Sequence, residues 1–500
     1  MSSAPSVIPR PGEGARGLEQ RSIDYVPESE RRGRVGQQGV FWFVSNTQTL
    51  SVAVGFLGPA MGLSILWTVI ATLLGTIIGT TFTALHASQG PHLGLPQMLQ
   101  SRAQFGYRGV IIPLIAALFG NVAYLILDVV LLTVGLHAIF GINAVLIGVV
   151  ATLLTVVLAV FGYDWMHRAF KWFFWISLPF WAALSIAILT GHAGGHAPSS
   201  HAGFVVVAFL VQLSYAASIN LSYATVVSDY SRYLPRTTPF RRIIGTVFSG
   251  MSGSLIWLVA IGAWLASSFG ASDALVGVDQ AGNDVFPHFG DVLAIVSSLV
   301  LVITMGLCAY SASLEALTIL ESLGVMRKVR NSLASVRVRA GLVVAFGILT
   351  LAIALPLKDV ATTVDTLVLM VFYVLVPWTS INLVDYFFVR RGRYAITHLD
   401  KPDGVYGAWS WRGIVAYLVG LASIVPFMNL SFFVGPLVAP LKDVDVSWVV
   451  GLIVSSIVYF AFTRSLDLSR DAQAIADSDA ELQSLGLAAP AEEREVVPEF

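Results

Sequence analysis

Apolar runs long enough to cross a bilayer as helices follow one another along most of this chain. A membrane-spanning helix needs roughly 20 mostly apolar residues, and twelve such runs lie between residues 38 and 463. Their approximate bounds are 38–62, 64–86, 109–137, 143–161, 170–190, 203–227, 243–268, 290–320, 338–356, 361–389, 412–436 and 446–463. This pattern predicts an all-α polytopic membrane protein with twelve transmembrane helices, spans 1 to 12, in a transporter domain at 37–465.

Lysines and arginines indicate how these spans are oriented. With the N-terminus inside, all of the 29 basic residues except Lys358 and Lys442 fall in cytoplasmic segments, as the positive-inside rule requires. We therefore expect a multi-pass protein of the plasma membrane with both termini in the cytoplasm. Residues 1–36 are expected to form a disordered N-terminus, and residues 466–500 an acidic tail.

Spans 1 and 6 are interrupted by polar side chains at mid-depth. Span 1 contains FWFVSNTQTLSVAVGFL, with Asn46 and Gln48, and span 6 contains SYAASINLSYATVVSD, with Asn220 and Tyr223. Unpaired polar groups in hydrocarbon are costly, so both runs favour a protein-walled cavity. The alternative is that hydroxyls bond to their own turn and amides bind a neighbouring helix.

The positions of these two interruptions point to an internal repeat. Each lies in the first span of a group of five, the first group at about 38–190 and the second at about 203–389. Matched interruptions in two halves are typical of inverted-repeat transporters. The last two spans, at about 412–463, are accessory helices outside the repeat. Gly75 and Gly79, four residues apart in span 2, predict close packing against another helix.

Asp128 is an acidic residue deep inside span 3. Helical spacing places Asn121 and Tyr124 on the same face as this carboxylate. A carboxylate within the membrane must be offset by a cation, a proton or hydrogen-bond donors, which favours a functional role. The alternative is a structural Asp bonded to hydroxyls of an adjacent helix.

Glu315 is the second acidic candidate, near the cytoplasmic end of span 8. It lies on one helical stripe with Cys308. The presence of Cys308 there would be explained by its packing as a small side chain. Glu315 either takes part in function or pairs with Arg327 or Lys328.

Composition excludes several other classes of protein. Charged residues make up 12% of the chain, against roughly 25% in soluble domains, and mean hydropathy is +0.77. A net charge of −1 gives no reason to expect nucleic acid as a partner, and the single cysteine excludes a disulfide framework. The outer loop GHAGGHAPSSHAG (191–203) is expected to be a solvated loop rather than a metal site. We expect no metal and no cofactor.

Several longer motifs resemble those of a known family. They are IDYVPESERRG (23–33), GPHLGLPQMLQSRAQFGYRG (90–109), SDYSRYLP (228–235) and VPWTSINLVDYFFVRRGRY (376–394). Together they resemble the nucleobase:cation symporter family, especially its purine–cytosine permease branch, over about residues 23–465. The resemblance implies a LeuT-like fold of five-plus-five inverted repeats plus two accessory helices, with substrate held between spans 1, 3, 6 and 8.

The resemblance also implies a substrate site. Tyr124 and Tyr223 stand where relatives carry tryptophans against the ring, and Asp128 stands where they carry Asn or Gln. Cys308 replaces an Asn that reads the edge of the ring. The substrate-binding residues expected on these grounds and from the polarity pattern are Asn46, Gln48, Asn121, Tyr124, Asp128, Asn220, Tyr223 and Cys308.

The expected function is secondary active import of a nucleobase, purine or cytosine, or a related planar N-heterocycle, by cation symport. Span 8 carries Val302 and Ile303 where sodium-coupled relatives need hydroxyls, which favours a proton over sodium. Asp128 and Glu315 are the candidates for cation coupling. The alternatives are a transporter of a vitamin or cationic heterocycle of the thiamine, pyridoxine, allantoin or hydantoin type, or a membrane-embedded enzyme or receptor. The oligomeric state is left open.

Overall fold

Helices make up most of the computed structural model, which describes residues 19, 21–195, 203–271, 273–325 and 332–488. In the first half they are α1 Val35–Ser45, α2 Thr49–Val54, α3 Leu57–Ala60, α4 Ile65–Ala87, α5 Gln89–Leu93, α6 Gln97–Gln100, α7 Arg102–Phe105, α8 Ile111–Phe140, α9 Ala144–Phe161 and α10 Tyr163–Leu189. In the second half they are α11 Val206–Ser222, α12 Val227–Ser231, α13 Phe240–Trp264, α14 Ala274–Val285, α15 Phe289–Ser322, α16 Ser332–Ala354, α17 Val360–Val384, α18 Trp411–Ile424, α19 Ser447–Thr463 and α20 Leu468–Ser484. A two-stranded antiparallel sheet pairs β1 Asn429–Leu430 with β2 Phe433–Val434.

The described part of the chain has nine helices that are long and apolar enough to cross a membrane. Span 1 is a broken helix, in which Val35–Ser45 and Thr49–Ala60 meet at 58°. The shorter apolar helix Trp411–Phe427 and the helix Ser447–Thr463 correspond to spans 11 and 12. The architecture is therefore consistent with the twelve predicted spans. Ser447–Thr463 is followed at 89° by α20, which is polar along most of its length.

Spans 2 and 6 pack with their backbones in contact. A Cβ built on Gly75 would lie 2.1 Å from the carbonyl oxygen of Leu213, and one on Gly79 would lie 2.1 Å from that of Ala217. Only glycine allows α4 to approach α11 this closely, so the predicted role of both glycines in helix packing is confirmed.

The N-terminal segment differs from the predicted disordered terminus over residues 21–34, which pack against the helices. Val26 donates its backbone N–H to the carbonyl of Gly94 at 2.9 Å. The buried Arg31 donates to the carbonyls of Val26, at 2.9 Å, and Pro91, at 2.5 Å. Charge in this segment is compatible with order because the guanidinium groups of Arg21 and Arg31 donate to fixed acceptors.

Asp385 is the centre of a hydrogen-bond network at the end of the molecule against which this segment packs. It accepts hydrogen bonds from Arg390 at 2.5 Å, Gln104 at 2.6 Å and Tyr394 at 2.7 Å. Arg390 also pairs with Asp471 of α20 at 3.0 Å. The motifs at 90–109 and 376–394 therefore meet at a buried charge cluster.

Candidate substrate site

The break in span 1 is produced by the polar run itself. Helix α1 ends at Ser45, and Gln48 is extended, with φ −146° and ψ 171°. The Gln48 side-chain oxygen accepts the backbone N–H of Leu50 at 2.6 Å and so caps α2. A capping side chain replaces the lost helical hydrogen bond, so the chain can change direction in an apolar surrounding.

The break in span 6 faces the break in span 1. Helix α11 ends at Ser222, a 3₁₀ turn covers Tyr223–Thr225, and α12 begins at Val227. The Tyr223 hydroxyl donates to the carbonyl of Ser45 at 3.2 Å. The two predicted polar interruptions are thus real helix breaks, and this hydrogen bond links them.

A cavity lies beside these breaks and contains most of the predicted site. Six of the eight expected substrate-binding residues line it: Gln48, Asn121, Tyr124, Asp128, Tyr223 and Cys308. The other lining residues are Leu50, Gly120, Ile219, Ser222, Thr225, Val226, Thr304, Val371 and Leu375. Spans 1, 3, 6 and 8 therefore contribute as expected. Span 10 was missed because Val371 and Leu375 are apolar, like any residue packed in the core.

Asp128 is an acidic group of the cavity that lacks a hydrogen-bond partner, as does the Tyr124 hydroxyl, among the described residues. Its side chain is 2% exposed, and its Oδ1 has no hydrogen-bond partner within the described residues. None of the described lining residues is a lysine or an arginine. A buried charge without a partner is strongly unfavourable, so this carboxyl requires a proton, a cation or a donor from a guest molecule.

The two amides of the cavity each have one polar atom occupied by the protein. The Gln48 oxygen is held by Leu50, which leaves its nitrogen as a donor toward the cavity. The Asn121 nitrogen donates to both carboxylate oxygens of Glu315, at 3.0 Å each, which leaves the Asn121 oxygen as an acceptor. The cavity thus presents a donor and an acceptor at defined places.

Glu315 lies behind Asn121 and is not among the described lining residues. Its side chain is 3% exposed, and its hydrogen bonds come from Asn121. The alternative pairing with Arg327 or Lys328 lies outside the described residues. Glu315 therefore contacts the cavity indirectly, through the amide that it orients.

Asn46 and Asn220 require a correction, because the structure places both in a seam between helices. Asn46 donates to the side-chain oxygen of Asn220 at 2.7 Å and to the carbonyl of Met251 at 3.1 Å. Asn220 donates to the Thr80 hydroxyl at 2.7 Å. Both amides are 0% exposed, and neither lines the cavity. Their hydrogen bonds link spans 1, 2, 6 and 7, while the Asn46 Oδ1 has no partner among the described residues.

Other polar groups give no sign of a metal centre. Within the described ranges no three His, Cys, Asp or Glu side chains come together as metal ligands would. Of the histidines in the outer loop, His192 bonds to Thr190 at 3.0 Å, while His196 and His201 lie outside the described residues. At the positions considered for sodium, Val302 and Ile303 are buried and apolar.

Two broken helices that meet beside a cavity, inside a bundle of long apolar helices, define a membrane transporter of the inverted-repeat class. Solved structures of the transporter Mhp1 share this fold. Mhp1 is described as a nucleobase-cation-symport-1 family transporter. Its closed conformation with bromovinylhydantoin bound has a TM-score of 0.69 at 17% identity, and the match covers 92% of this chain and 99% of Mhp1. Its inward-facing conformation has a TM-score of 0.67 at 18% identity, covering 95% and 99%. The predicted LeuT-like fold is thereby confirmed.

Sequence comparisons identify the family. The family described as permease for cytosine/purines, uracil, thiamine, allantoin matches residues 25–451. The putative purine-cytosine permease YxlA of Bacillus subtilis is 32% identical over 467 residues, covering 89% of this chain and 96% of that protein. The purine-cytosine permease fcyB of Emericella nidulans is 24% identical over 469 residues, covering 88% and 87%. The chain belongs to this permease family, and it is a transporter rather than an enzyme.

Proposed function

We propose that this permease imports a nucleobase, a purine or cytosine, together with one proton. The observation that carries the proposal is the buried Asp128 carboxyl, which lines an aromatic cavity without a partner in the described part of the chain. Membership of a family of cytosine and purine permeases supports the substrate class.

Tyr124 and Tyr223 would hold the flat face of the base. Both line the cavity, and aromatic rings pack favourably against a planar heterocycle in offset-stacked or edge-to-face arrangements. Val371 and Leu375 of span 10 would exclude water on the remaining apolar side. Selection of a flat ring would then come from these walls.

The edge of the base would be bound by Asp128, Gln48 and Asn121. A protonated carboxyl presents one donor and one acceptor, which matches the ring nitrogen and exocyclic amino group of cytosine or adenine. The Gln48 nitrogen could donate to a second acceptor of the ring, and the Asn121 oxygen could accept from a second donor. All three polar contacts would then be satisfied within a neutral complex.

A proton suits this site better than sodium does. Sodium needs several oxygen ligands, whereas the buried Asp128 needs a single proton to become neutral. Val302 and Ile303 offer no side-chain oxygens. Glu315, which orients Asn121, is a second acidic group to which a proton could pass.

The decisive experiment is uptake of radiolabelled cytosine and adenine by proteoliposomes under imposed gradients. We expect saturable uptake in sodium-free buffer with an inward proton gradient, and loss of that uptake when a protonophore is added. Uptake that requires sodium and is unaffected by the protonophore would exclude the proton as the coupling ion. Failure of every unlabelled nucleobase to compete would exclude the substrate class.

A second candidate substrate is a cationic heterocycle of the thiamine type. An ionised Asp128 without a nearby lysine or arginine would pair with a positive charge. The two modes differ in their pH dependence. A neutral base that needs the protonated carboxyl binds more tightly as the pH falls, and a cation that needs the carboxylate binds more tightly as the pH rises.

We also propose a plasma-membrane location with both termini in the cytoplasm, based on the distribution of basic residues. Reporter fusions after residue 36 and after residue 488 should be active only as cytoplasmic reporters. An extracellular signal from either fusion would contradict the proposed topology.

A further inference from the structure

Glu19 is a nearly buried carboxylate that four separate helical regions contact. Its side chain is 6% exposed. It accepts hydrogen bonds from Arg232 at 3.1 Å, Tyr310 at 2.7 Å and Arg339 at 3.3 Å. It also accepts from the backbone N–H of Tyr163 at 3.1 Å and from the Tyr233 hydroxyl. One side chain of the N-terminal segment therefore accepts hydrogen bonds from residues that are far apart in sequence.

These partners lie on the broken span 6 and on unbroken helices, two groups of helices that would separate if the cavity opened inward. Arg232 and Tyr233 follow α12, the inner half of the broken span 6. Tyr310 lies on α15 and Arg339 on α16, which are unbroken helices of the second repeat. Alternating access in inverted-repeat transporters is largely a rocking of one group of helices against the other around the site. Arg232 and Arg339 would move apart in the inward-open state.

The contact between these two groups of helices depends on the negative charge of Glu19. The side chains of Arg232 and Arg339 are 0% exposed. Two buried guanidinium groups near one point repel each other unless an anion lies between them. The backbone of the segment adds acceptors, since Arg232 also donates to the carbonyls of Arg21 at 2.9 Å and Ser22 at 3.0 Å.

We propose that Glu19 is a positioning residue of the transport cycle that holds the cytoplasmic side of the cavity closed. It does not touch the cavity, and it acts through Arg232 on the broken span and Arg339 on the opposing helices. When the site opens inward, Glu19 gives up one of these partners. Removing its charge shifts the protein toward the inward-open state.

Cys308 makes this inference directly measurable. It is the single cysteine of the chain, and it lines the cavity. A charged, membrane-impermeant methanethiosulfonate reagent can reach it only through an open path. Labelling in inside-out vesicles therefore reports cytoplasmic opening, and labelling in right-side-out vesicles reports outward opening. The assay needs no substrate, so its result is independent of whether a nucleobase is the cargo.

The test compares Glu19→Gln with the unaltered protein. We expect Cys308 labelling from the cytoplasmic side to be about tenfold faster in Glu19→Gln, since hydrogen bonds to charged groups are the stronger ones. Labelling from the outer side should stay the same or slow. Glu30→Gln is the matched control, because Glu30 lies in the same segment but pairs with Arg21 at 37% side-chain exposure. A Cys308→Ala variant gives the background.

Tyr310→Phe keeps the inference testable should Glu19→Gln fail to fold. It removes one hydroxyl bond to Glu19 and keeps the buried ring, and we expect about twofold to fivefold faster cytoplasmic labelling. Unchanged cytoplasmic labelling in the folded variants would overturn the proposal. Equal acceleration from both sides would also overturn it, because general loosening of the helices predicts that result.

Discussion

At the scale of single residues, Asp128 and Asn46 are both buried polar groups near the break of span 1, yet their surroundings differ. Asn46 donates two hydrogen bonds to neighbouring helices. Asp128 Oδ1 has no such partner in the described structure. The Asn46 nitrogen stabilises the bundle, whereas its Oδ1 is without a partner among the described residues, as is Asp128 Oδ1. Of the two residues, Asp128 lines the cavity and can bind a proton as well as a ligand.

Asp128→Asn should preserve binding of a base and remove its coupling to protons. An amide presents the same donor and acceptor as a protonated carboxyl, but it does not titrate. The apparent Kd of cytosine for the unaltered protein should rise by up to about tenfold per pH unit where Asp128 ionises, and that of the variant should stay flat. The variant should exchange substrate but not accumulate it.

Asp164→Asn is the matched control, because Asp164 is an exposed carboxylate at the start of α10. In this control, the apparent Kd of cytosine, measured by radioligand competition from pH 5 to 8, should depend on pH as it does in the unaltered protein. A pH-dependent Kd in Asp128→Asn would mean that another group carries the proton.

Asn46→Ala should lower stability without changing substrate preference. It leaves buried partners unsatisfied, which costs about 1–3 kcal/mol, and Asn46 lies outside the cavity. The Asn46→Ala/Asn220→Ala double variant should lose less than the sum of the two single losses, because the two amides share a hydrogen bond. Thermal unfolding in detergent measures the losses. Normal stability with altered selectivity would instead place Asn46 in the site.

At the scale of elements, the helix breaks were predictable because their cause is local. A run of polar residues that includes Asn46 and Gln48 is costly to expose to lipid, and Gln48 can cap the helix that follows. The contribution of span 10 was not predictable. Val371 has the same apolar side chain whether it faces a ligand, the core or lipid, so only the packed structure distinguishes these cases.

The contact between spans 2 and 6 leads to a prediction about Gly79→Ala. The added Cβ would lie 2.1 Å from the carbonyl oxygen of Ala217, so the two helices must move apart. We expect destabilisation of about 1–3 kcal/mol and slower transport, since α11 leads into the break that carries Tyr223. Gly253→Ala on α13 is the control, with its nearest atom at 3.9 Å. Equal melting temperatures for the two variants would contradict this packing.

At the scale of the whole molecule, both ends of the described chain pack against the same face. Ala474 and Leu482 of α20 join an apolar cluster with Leu93 and Leu99. Composition alone predicted disorder for residues 21–34, because a count of charges does not reveal whether each charge has a partner. Arg31 and Glu19 have partners contributed by distant parts of the fold.

Truncation after Asp467 should therefore destabilise the protein. It exposes the surface covered by Leu482, a side chain whose burial contributes about 1.5–3 kcal/mol, and it removes Asp471 from Arg390. Truncation after Ala488 is the control, as it keeps α20 intact. The melting temperature and the monodispersity of the purified protein measure the difference. Identical values would show that α20 adds nothing to the fold.

The meeting of the two ends has a consequence for biosynthesis. Glu28 donates its backbone N–H to the carbonyl of Leu487 at 3.1 Å. A segment that is synthesised early must therefore wait for one that is synthesised much later. Until then the Glu19 contacts with Arg232 and Arg339 form without that anchor. Closing so long a loop is slow and entropically unfavourable. The face on which the two ends meet is thus a late region of a nascent permease to mature, and a chain that terminates prematurely leaves this surface unfinished.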